Sequence, residues 1–307
     1  MITVLKAEPF TSIQDQGRFG YQAWGLPVSG AMDRYACTAA NFLVGNEKEQ
    51  AVVEMTGSGG SFKFDQKTFV SICGADMQAR IDERKIETWS SFFVPAGGVL
   101  HFGKALKGYR TYLAVQGGID VPLVMGSRST YTRAALGGFE GRCLLPGDVL
   151  YMGKPTGRKD AQMISREALP LYEEAISLRV LRAMPTAVFG KTIATDFFAE
   201  KYTIAEDSDR VSYVLNGPEI SLSEQTDIIS MAVPQGAIQI TSSGRPSIVA
   251  SDHGTIRGFG RIGYVIQADL PKLAQASPGT RLSFTEITET DAVAIWREQR
   301  ETLIALV

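Results

Sequence analysis

SFKFDQKTFVSICGA, residues 61–75, decides the fold class: two short runs rich in Phe, Val, Ile and Thr stand on either side of a polar turn. Side chains of this kind fit a pleated, half-buried surface. Similar runs recur outward from it: SSFFVPAG (90–97), GVLHFG (98–103), YRTYLAVQGG (109–118), GAIQIT (236–241), PSIVAS (246–251), YVIQADL (264–270) and RLSFTEI (281–287). Such strands, set between glycine- and proline-bearing turns, predict a mainly β protein, barrel or sandwich.

Helical signals are few. DRYACTAANFLVGN (33–46) places Tyr35, Ala36, Ala39, Ala40 and Leu43 on one face and stops at Gly45-Asn46, a good left-handed cap. A second, short helix is expected from Asp269 as its cap, with Pro271 in the first turn, to Gln275. A third, TDAVAIWREQRETLIAL (290–306), closes the chain. The stretch 155–174, PTGRKDAQMISREALPLYEE, is polar and carries no strand pattern. A chain of 307 residues divides there into domains at 1–165 and 175–307, or carries a long surface loop in one domain.

The two halves echo each other. VPAGGVLHFG, LPGDVLYMG and SPGTRLSFTE share a proline-glycine turn leading into an alternating strand. Asp15-Gln16-Gly17 and Gly17-Arg18-Phe19-Gly20-Tyr21 are matched by Asp252-His253-Gly254 and Gly260-Arg261-Ile262-Gly263-Tyr264. Duplication and the chance likeness of glycine-rich turns both account for this.

Charge is nearly balanced, 31 Lys plus Arg against 33 Asp plus Glu, with no block of five like charges. That argues against a nucleic-acid or anionic-membrane surface. Three scattered cysteines and two histidines give no metal-ligand spacing and no disulfide framework. Neither a leader pattern nor an 18-residue apolar run occurs, so a cytoplasmic protein is expected. No phosphate-loop, G-x-S-x-G or H-E-x-x-H signature is present. Gly258 to Gly263 satisfies G-x-G-x-x-G, but a strand follows it instead of the helix a pyrophosphate needs.

SIQDQGRFGYQAWGLPVSGAMD, residues 12–33, carries the chemistry. Gly17 and Gly20 permit positive φ, Arg18 offers a planar fork of donors, and Asp15 and Asp33 accept from N–H groups. That set complements an amide or ureide. The structural alternatives are a helix cap at Ser29, Gly30 or Asp33 and a turn-pinning ion pair of Asp15 with Arg18. Glu54, inside the apolar AVVEMT, requires a partner, such as Arg18 or a backbone amide, or else a raised pKa. His253 beside Asp252 is a candidate acid or base, whereas His101 on an alternating strand is expected to be structural. Gln239, Gln267 and Asp269 either face the His253 loop or are surface polar residues. The tryptophans, Trp24, Trp89 and Trp296, are expected to pack.

With these residues in hand, the sequence resembles the biotin-dependent carboxyltransferase-like family that contains allophanate hydrolase subunit 2, the C subunit of prokaryotic 5-oxoprolinase and the antagonist of a sporulation-kinase inhibitor. The carboxyltransferase part of urea carboxylase is similar too. The likeness is strongest in residues 11–46, in YRTYLAVQGGIDVPLVMGSRST (109–130) and in GGFEGRCLLPGDVL (137–150). It implies two cyclophilin-like β-barrel domains with a few short helices. It implies an amide- or urea-type substrate and ATP-dependent work beside a homologous inhibitor-like (B-type) subunit and a third hydrolase subunit. Self-association is compatible with it. No cofactor is expected on this chain itself: ATP belongs to the assembled complex, and biotin enters only if a partner carries it.

The family motif carries over at Gln14, Asp15, Gly17, Arg18, Gly20, Pro27, Ser29, Gly30, Asp33, Asn41 and Glu54. The second half departs from it. Where relatives commonly read D-R-Q-T-T-G-G-Y this chain has DHGTIRGFG, keeping Asp252, Thr255, Gly258 and an aromatic at Phe259 but placing Gly254 and Arg257 in unusual positions. The usual G-P of this half is altered in LRAMPTAVF (181–189). The mechanism this implies has Arg18 and loop amides stabilising charge on a carbonyl oxygen, Asp15 or Asp33 orienting the substrate N–H, and His253 with Asp252 moving a proton. Gln14, Gly17, Ser29, Gly30, Asp33, Glu54, Gln239, Arg257 and Gln267 are the expected binding residues. A regulatory protein that docks on a kinase-inhibitor-like partner, and a carboxyltransferase using biotin on another protein, are the other readings.

Overall fold

The computed structural model describes residues 1–155, 157–158, 160–183, 193–220 and 229–305. It divides into two compact units: Met1–Phe19, Ser29–Tyr172 and Thr302–Val307 form the first, and Gly20–Val28 with Glu173–Glu301 form the second. Both are mainly β, as the strand runs predict.

In the first unit a five-stranded antiparallel sheet runs in the order Ser12–Gln14, Val52–Thr56, Lys107–Val115, Thr68–Asp76, Ser90–Val94. A seven-stranded sheet, with Ile2–Lys6 and Ser61–Phe64 near its middle, shares a core with it. Strand alternation explains the division of side chains. Val53, Met55, Val70, Ile72, Leu113 and Val115 meet Ile2, Val4, Phe62, Phe64 and Leu100 in that core. Each such side chain, fully buried, contributes about 1.5–3 kcal/mol. Their neighbours Val52, Phe69, Cys73, Tyr112 and Ala114 point the other way, against the helix Arg34–Leu43.

Covered on both faces, the central strands lack the polar alternation of a surface sheet, and Glu54, like Ser71 and Thr111, is a fully buried polar residue among them. The helix packs closely through Ala36, Ala39 and Ala40. It starts where Asp33 Oδ1 accepts from the Ala36 N–H at 2.9 Å and ends before Gly45, at φ 74°. Asn41, buried, donates to Gln50 O at 2.8 Å and accepts from Asn46 Nδ2 at 2.9 Å, which anchors the chain after the helix. His101 Nδ1 lies 2.9 Å from Ser61 Oγ, so it is a partnered strand histidine.

The second unit is a closed seven-stranded barrel: Ala175–Arg182, Gly260–Val265, Ala237–Ile240, Pro246–Val249, Ser212–Asn216, Tyr202–Ile204 and Arg281–Glu286. The first and last strands close it as a parallel pair. A ribbon of Met231–Ala232 and Ile256–Arg257 belongs to the same unit, as does most of the helix Glu289–Ala305.

Several expectations are corrected here. The strand read in YVIQADL stops at Val265, and Gln267–Asp269 is a 3-10 turn leading into the helix Leu270–Ala274. Asp269 does not cap that helix with its side chain. Its buried carboxylate instead takes Arg179 Nη2 at 2.6 Å, Arg179 Nε at 2.9 Å and the Arg179 N–H at 2.8 Å, with Lys272 3.0 Å away. The echo between Gly17–Tyr21 and Gly260–Tyr264 is not conformational, because the second copy is a barrel strand and the first is not. Trp24 does not pack: it is 75% exposed, 5.8 Å from Tyr21. Residues 184–189 of the altered LRAMPTAVF, and Leu306 of the last helix, lie outside the described residues.

Candidate functional site

The strand Ser12–Gln14 delivers Asp15 into the interior, 4% exposed. Its Oδ1 accepts from the Gly17 N–H at 2.8 Å, from Ser127 Oγ at 2.7 Å and from Ser129 Oγ, while Oδ2 accepts from the Arg128 N–H at 2.5 Å. Hydrogen bonds to a charged group are worth about 1.5–3 kcal/mol each, so this cluster binds residues 127–129 firmly to the start of the glycine-rich segment. Arg18, 1% exposed, donates from Nε to Val124 O at 3.1 Å and from Nη2 to Ser129 O at 3.0 Å. Gln14 Nε2 donates to Ser12 Oγ at 2.9 Å and Thr130 O at 3.3 Å. Gln14, Asp15 and Arg18 therefore all grip one loop, 124–130. Ser127, Arg128 and Ser129 were not singled out from the sequence. They stand more than a hundred residues from Asp15, and their signal was only the GSRST within the second stretch of family likeness.

A second crossing fixes the far end of the segment. A Cβ on Gly30 would stand 2.8 Å from Gly17 Cα, so the two chains touch where neither has a side chain. Gly17 and Gly30 have φ of 103° and 84°, a region glycine enters freely. The Ala31 N–H donates to Asp15 O at 2.8 Å. Glu54 Oε2 then accepts from the Met32 N–H at 2.9 Å and from the Tyr112 hydroxyl at 2.8 Å, and that hydroxyl accepts from the Asp33 N–H at 2.8 Å. Of the two readings of Glu54, the structure provides the partner: a backbone amide and a phenol, not Arg18. Burial first, and the nearby Glu54 and Asp33 carboxylates next, push the Tyr112 hydroxyl well up and keep it protonated as a donor.

The charged ends of Asp15, Arg18, Asp33 and Glu54 thus meet protein groups, and the contacts described for Asp15 and Arg18 run to the 124–130 loop and the Gly17 amide, where the structural alternative had the two side chains paired with each other. Among the described residues, three other groups of residues 12–34 remain available. Gln14 Oε1 and Ser29 Oγ are buried without a hydrogen-bond partner among the described residues. Ser29 does not cap the helix, a role Asp33 takes; its φ of 54° reflects the turn into Gly30. Arg34 packs over Phe19, 5.1 Å from the ring centre, and makes no hydrogen bond or ion pair among the described residues. Burial lowers its pKa, partly offset by Cys37 and Asp15. Arg34 was missed because, at the first position of an apolar helix, it reads as an ordinary surface cation.

In the second unit the proposed proton-moving pair is not assembled. Asp252 faces Arg210, which donates from Nε at 2.8 Å and from Nη2 at 3.1 Å. His253 Nδ1 lies 2.8 Å from Gly254 O, so Nδ1 carries the proton and Nε2 is the basic nitrogen. Burial lowers the His253 pKa, the Gly254 contact and Asp252 oppose that and Arg257 adds to it, and the ring is neutral near pH 7. Arg257 lies on the ribbon, and Gln267, exposed on its 3-10 turn, is not beside it in the register. Gln239 is fully buried on its barrel strand.

The family model described as "Carboxyltransferase domain, subdomain A and B" matches residues 24–286. The chain is 32% identical to the C subunit of 5-oxoprolinase from Haemophilus influenzae, over 97% of its own length and 95% of that protein's. It is 31% identical to the C subunit of the Escherichia coli 5-oxoprolinase, over 98% and 96%. Among solved structures it superposes on the K. lactis urea amidolyase with a TM-score of 0.94 and 27% identity, covering 100% of this chain and 20% of that one.

Proposed function

The chain belongs to the family of the carboxyltransferase domain, subdomains A and B, and from that membership we propose that it is one subunit of an ATP-dependent amide hydrolase. In this reading it acts in the cytoplasm on 5-oxoproline or a related urea-like compound, together with an inhibitor-like subunit and a third subunit. The observation that carries it is the reach of the match in both directions. The chain and the two 5-oxoprolinase C subunits correspond over nearly their full lengths, whereas the urea amidolyase holds a counterpart within a much longer chain, of which the match covers 20%.

Opening a lactam places negative charge on the carbonyl oxygen, and preorganised donors stabilise it by about 3 kcal/mol each. In the first unit, Asp15, Arg18, Asp33 and Glu54 position the backbone of residues 14–19 and 29–34, and Gln14 Oε1, Ser29 Oγ and the Arg34 guanidinium meet the ligand. Support for this division comes from their contacts: the first four are hydrogen-bonded to protein groups, and among the described residues the other three groups are not. The second unit, taken by itself, offers His253 Nε2 as a basic nitrogen. Asp252 serves by holding Arg210.

The urea amidolyase superposition favours a second reading, carboxyl transfer to a urea-like acceptor. Biotin would supply the carboxyl group there. The sequence has no A-M-K-M-type attachment site, so the biotin would be carried by another protein.

The experiment is reconstitution with the candidate partner subunits and measurement of ATP hydrolysis driven by 5-oxoproline, and separately by urea. The first reading expects turnover with 5-oxoproline that disappears when this chain is omitted. Turnover with urea alone, requiring a biotinylated carrier, overturns it in favour of the second. A tight complex that consumes neither overturns both and leaves the regulatory role.

A further inference from the structure

Gln239, expected from the sequence to bind ligand, has a setting that the division of roles under the proposed function does not use. On the barrel strand Ala237–Ile240 it stands opposite Ser247 on one side and Arg261 on the other, so the three side chains share one face. The register slips between Ile238 and Gln239, a β-bulge of the kind that re-aims a side chain beside a site. Gln239 is fully buried, yet neither its Nε2 nor its Oε1 has a hydrogen-bond partner among the described residues. Arg261 Nε is buried and likewise unpartnered, while its Nη2 donates to Met231 O of the ribbon at 3.2 Å. The same face continues into an apolar cluster of Val233, Ala237, Val249 and Tyr264.

A buried amide unsatisfied at both ends calls for an explanation, and its neighbours supply one. A side-chain carboxamide presents a donor and an acceptor along one edge. The complementary group carries an N–H and a C=O on the same side, which a cis amide in a small ring does and an open-chain trans amide does not. The ring carbonyl has a second lone pair, and the Arg261 Nε–H is a donor of the right kind for it. The apolar cluster suits ring methylenes.

We propose that Gln239 reads the cis-amide edge of a five-membered lactam or cyclic ureide, with Arg261 as second donor to the ring carbonyl. This deepens the amide-hydrolase reading and rests on it for the ligand class. Two sources share the chemistry, a free lactam and the ureido ring of biotin.

The test is an NMR titration of the ¹⁵N-labelled full chain, following the Gln239 side-chain NH₂ signals, assigned by their loss in Gln239→Met. The probes are 5-oxoproline, biotin and, as a trans-amide control, N-methylacetamide. A saturable shift with one or both rings, and none with the control, is expected. Gln239→Met and Arg261→Met should each weaken binding about tenfold or more, the scale of one lost hydrogen bond in a dry site. Melting of Gln239→Met should be unchanged or higher, since an apolar isostere removes an unsatisfied group. A shift with 5-oxoproline identifies the lactam, and a shift with biotin alone identifies the carried ureide. No shift with either ring, or equal binding by Gln239→Met, overturns the inference. Where 5-oxoproline is the ring that shifts, wild-type complex that turns it over no faster than its Gln239→Met counterpart would sink this inference and leave the function standing. Ring binding at Gln239 in a chain whose complex never consumes lactam would do the reverse.

Discussion

Tyr112→Phe removes a single oxygen at the centre of the clasp that holds residues 29–33 to the sheet. That oxygen donates to Glu54 Oε2 and accepts from the Asp33 N–H, each at 2.8 Å, in surroundings where Tyr112 and Glu54 are wholly buried. A neutral bond lost to the Asp33 amide costs about 1 kcal/mol, and one lost to a buried carboxylate about 1.5–3 kcal/mol. The substitution creates almost no cavity, so about 3 kcal/mol of destabilisation is expected. For a domain of roughly 150–250 residues that corresponds to a melting shift of about 6–12 °C. Calorimetry and urea unfolding of Tyr112→Phe beside Tyr151→Phe, whose ring is 59% exposed, measure it. Adding Glu54→Gln completes a double-mutant cycle, in which the two substitutions should be coupled by at least about 1 kcal/mol. Tyr112→Phe melting with the Tyr151→Phe control, or additive effects, would refute the clasp.

Gly30→Ala should destabilise by about 3 kcal/mol, because the new Cβ would stand 2.8 Å from Gly17 and the residue sits at φ 84°; unfolding within about 0.5 kcal/mol of the parent contradicts the crossing. Arg210→Met leaves the Asp252 carboxylate buried without its bidentate partner and should cost about 3–5 kcal/mol, read by the same unfolding assay. The His253 pKa is lowered on folding, so between about 6.5 and the lower folded value the unfolded chain binds the extra proton. Its contribution is therefore full above about pH 6.5 and declines as pH falls below that, by at most about 1.4 kcal/mol per pH unit; His253→Gln should flatten that part of the stability profile.

The mainly β class was legible because strands covered on one or both faces are written as apolar runs, and the helix at 34–43 because its alanines and its Asp33 cap sit at helical spacing. The chain's turn into a 3-10 segment at Gln267 was not, since Val265, Ile266 and Ala268 suit a strand equally well and Pro271 alone marks the change. At the candidate site, the sequence singled out residues 12–33 but could not assign the partners of their charges. Asp15 and Arg18 are near neighbours along the chain, yet Asp15, besides its bond from Gly17, accepts from residues 127–129 and Arg18 donates to residues 124 and 129, and no local pattern encodes a pairing at that separation. Local likeness also misled: GRIGY repeats GRFGY, but the barrel register draws the second copy into a strand. Glu54 was legible as a group needing a partner, and burial made the need plain; which amide met it depended on the Gly17–Gly30 crossing.

The central claim is that the motif's buried charges shape the segment while Arg34 is left to act. It is tested most directly by 5-oxoproline-dependent ATP hydrolysis in the reconstituted complex carrying Arg34→Ala, with Arg34→Lys alongside and the melting temperature of each chain recorded. Turnover should fall by roughly a hundredfold, as for loss of one preorganised donor, with partial recovery in the lysine variant and melting close to the parent. Undiminished turnover in Arg34→Ala would contradict it.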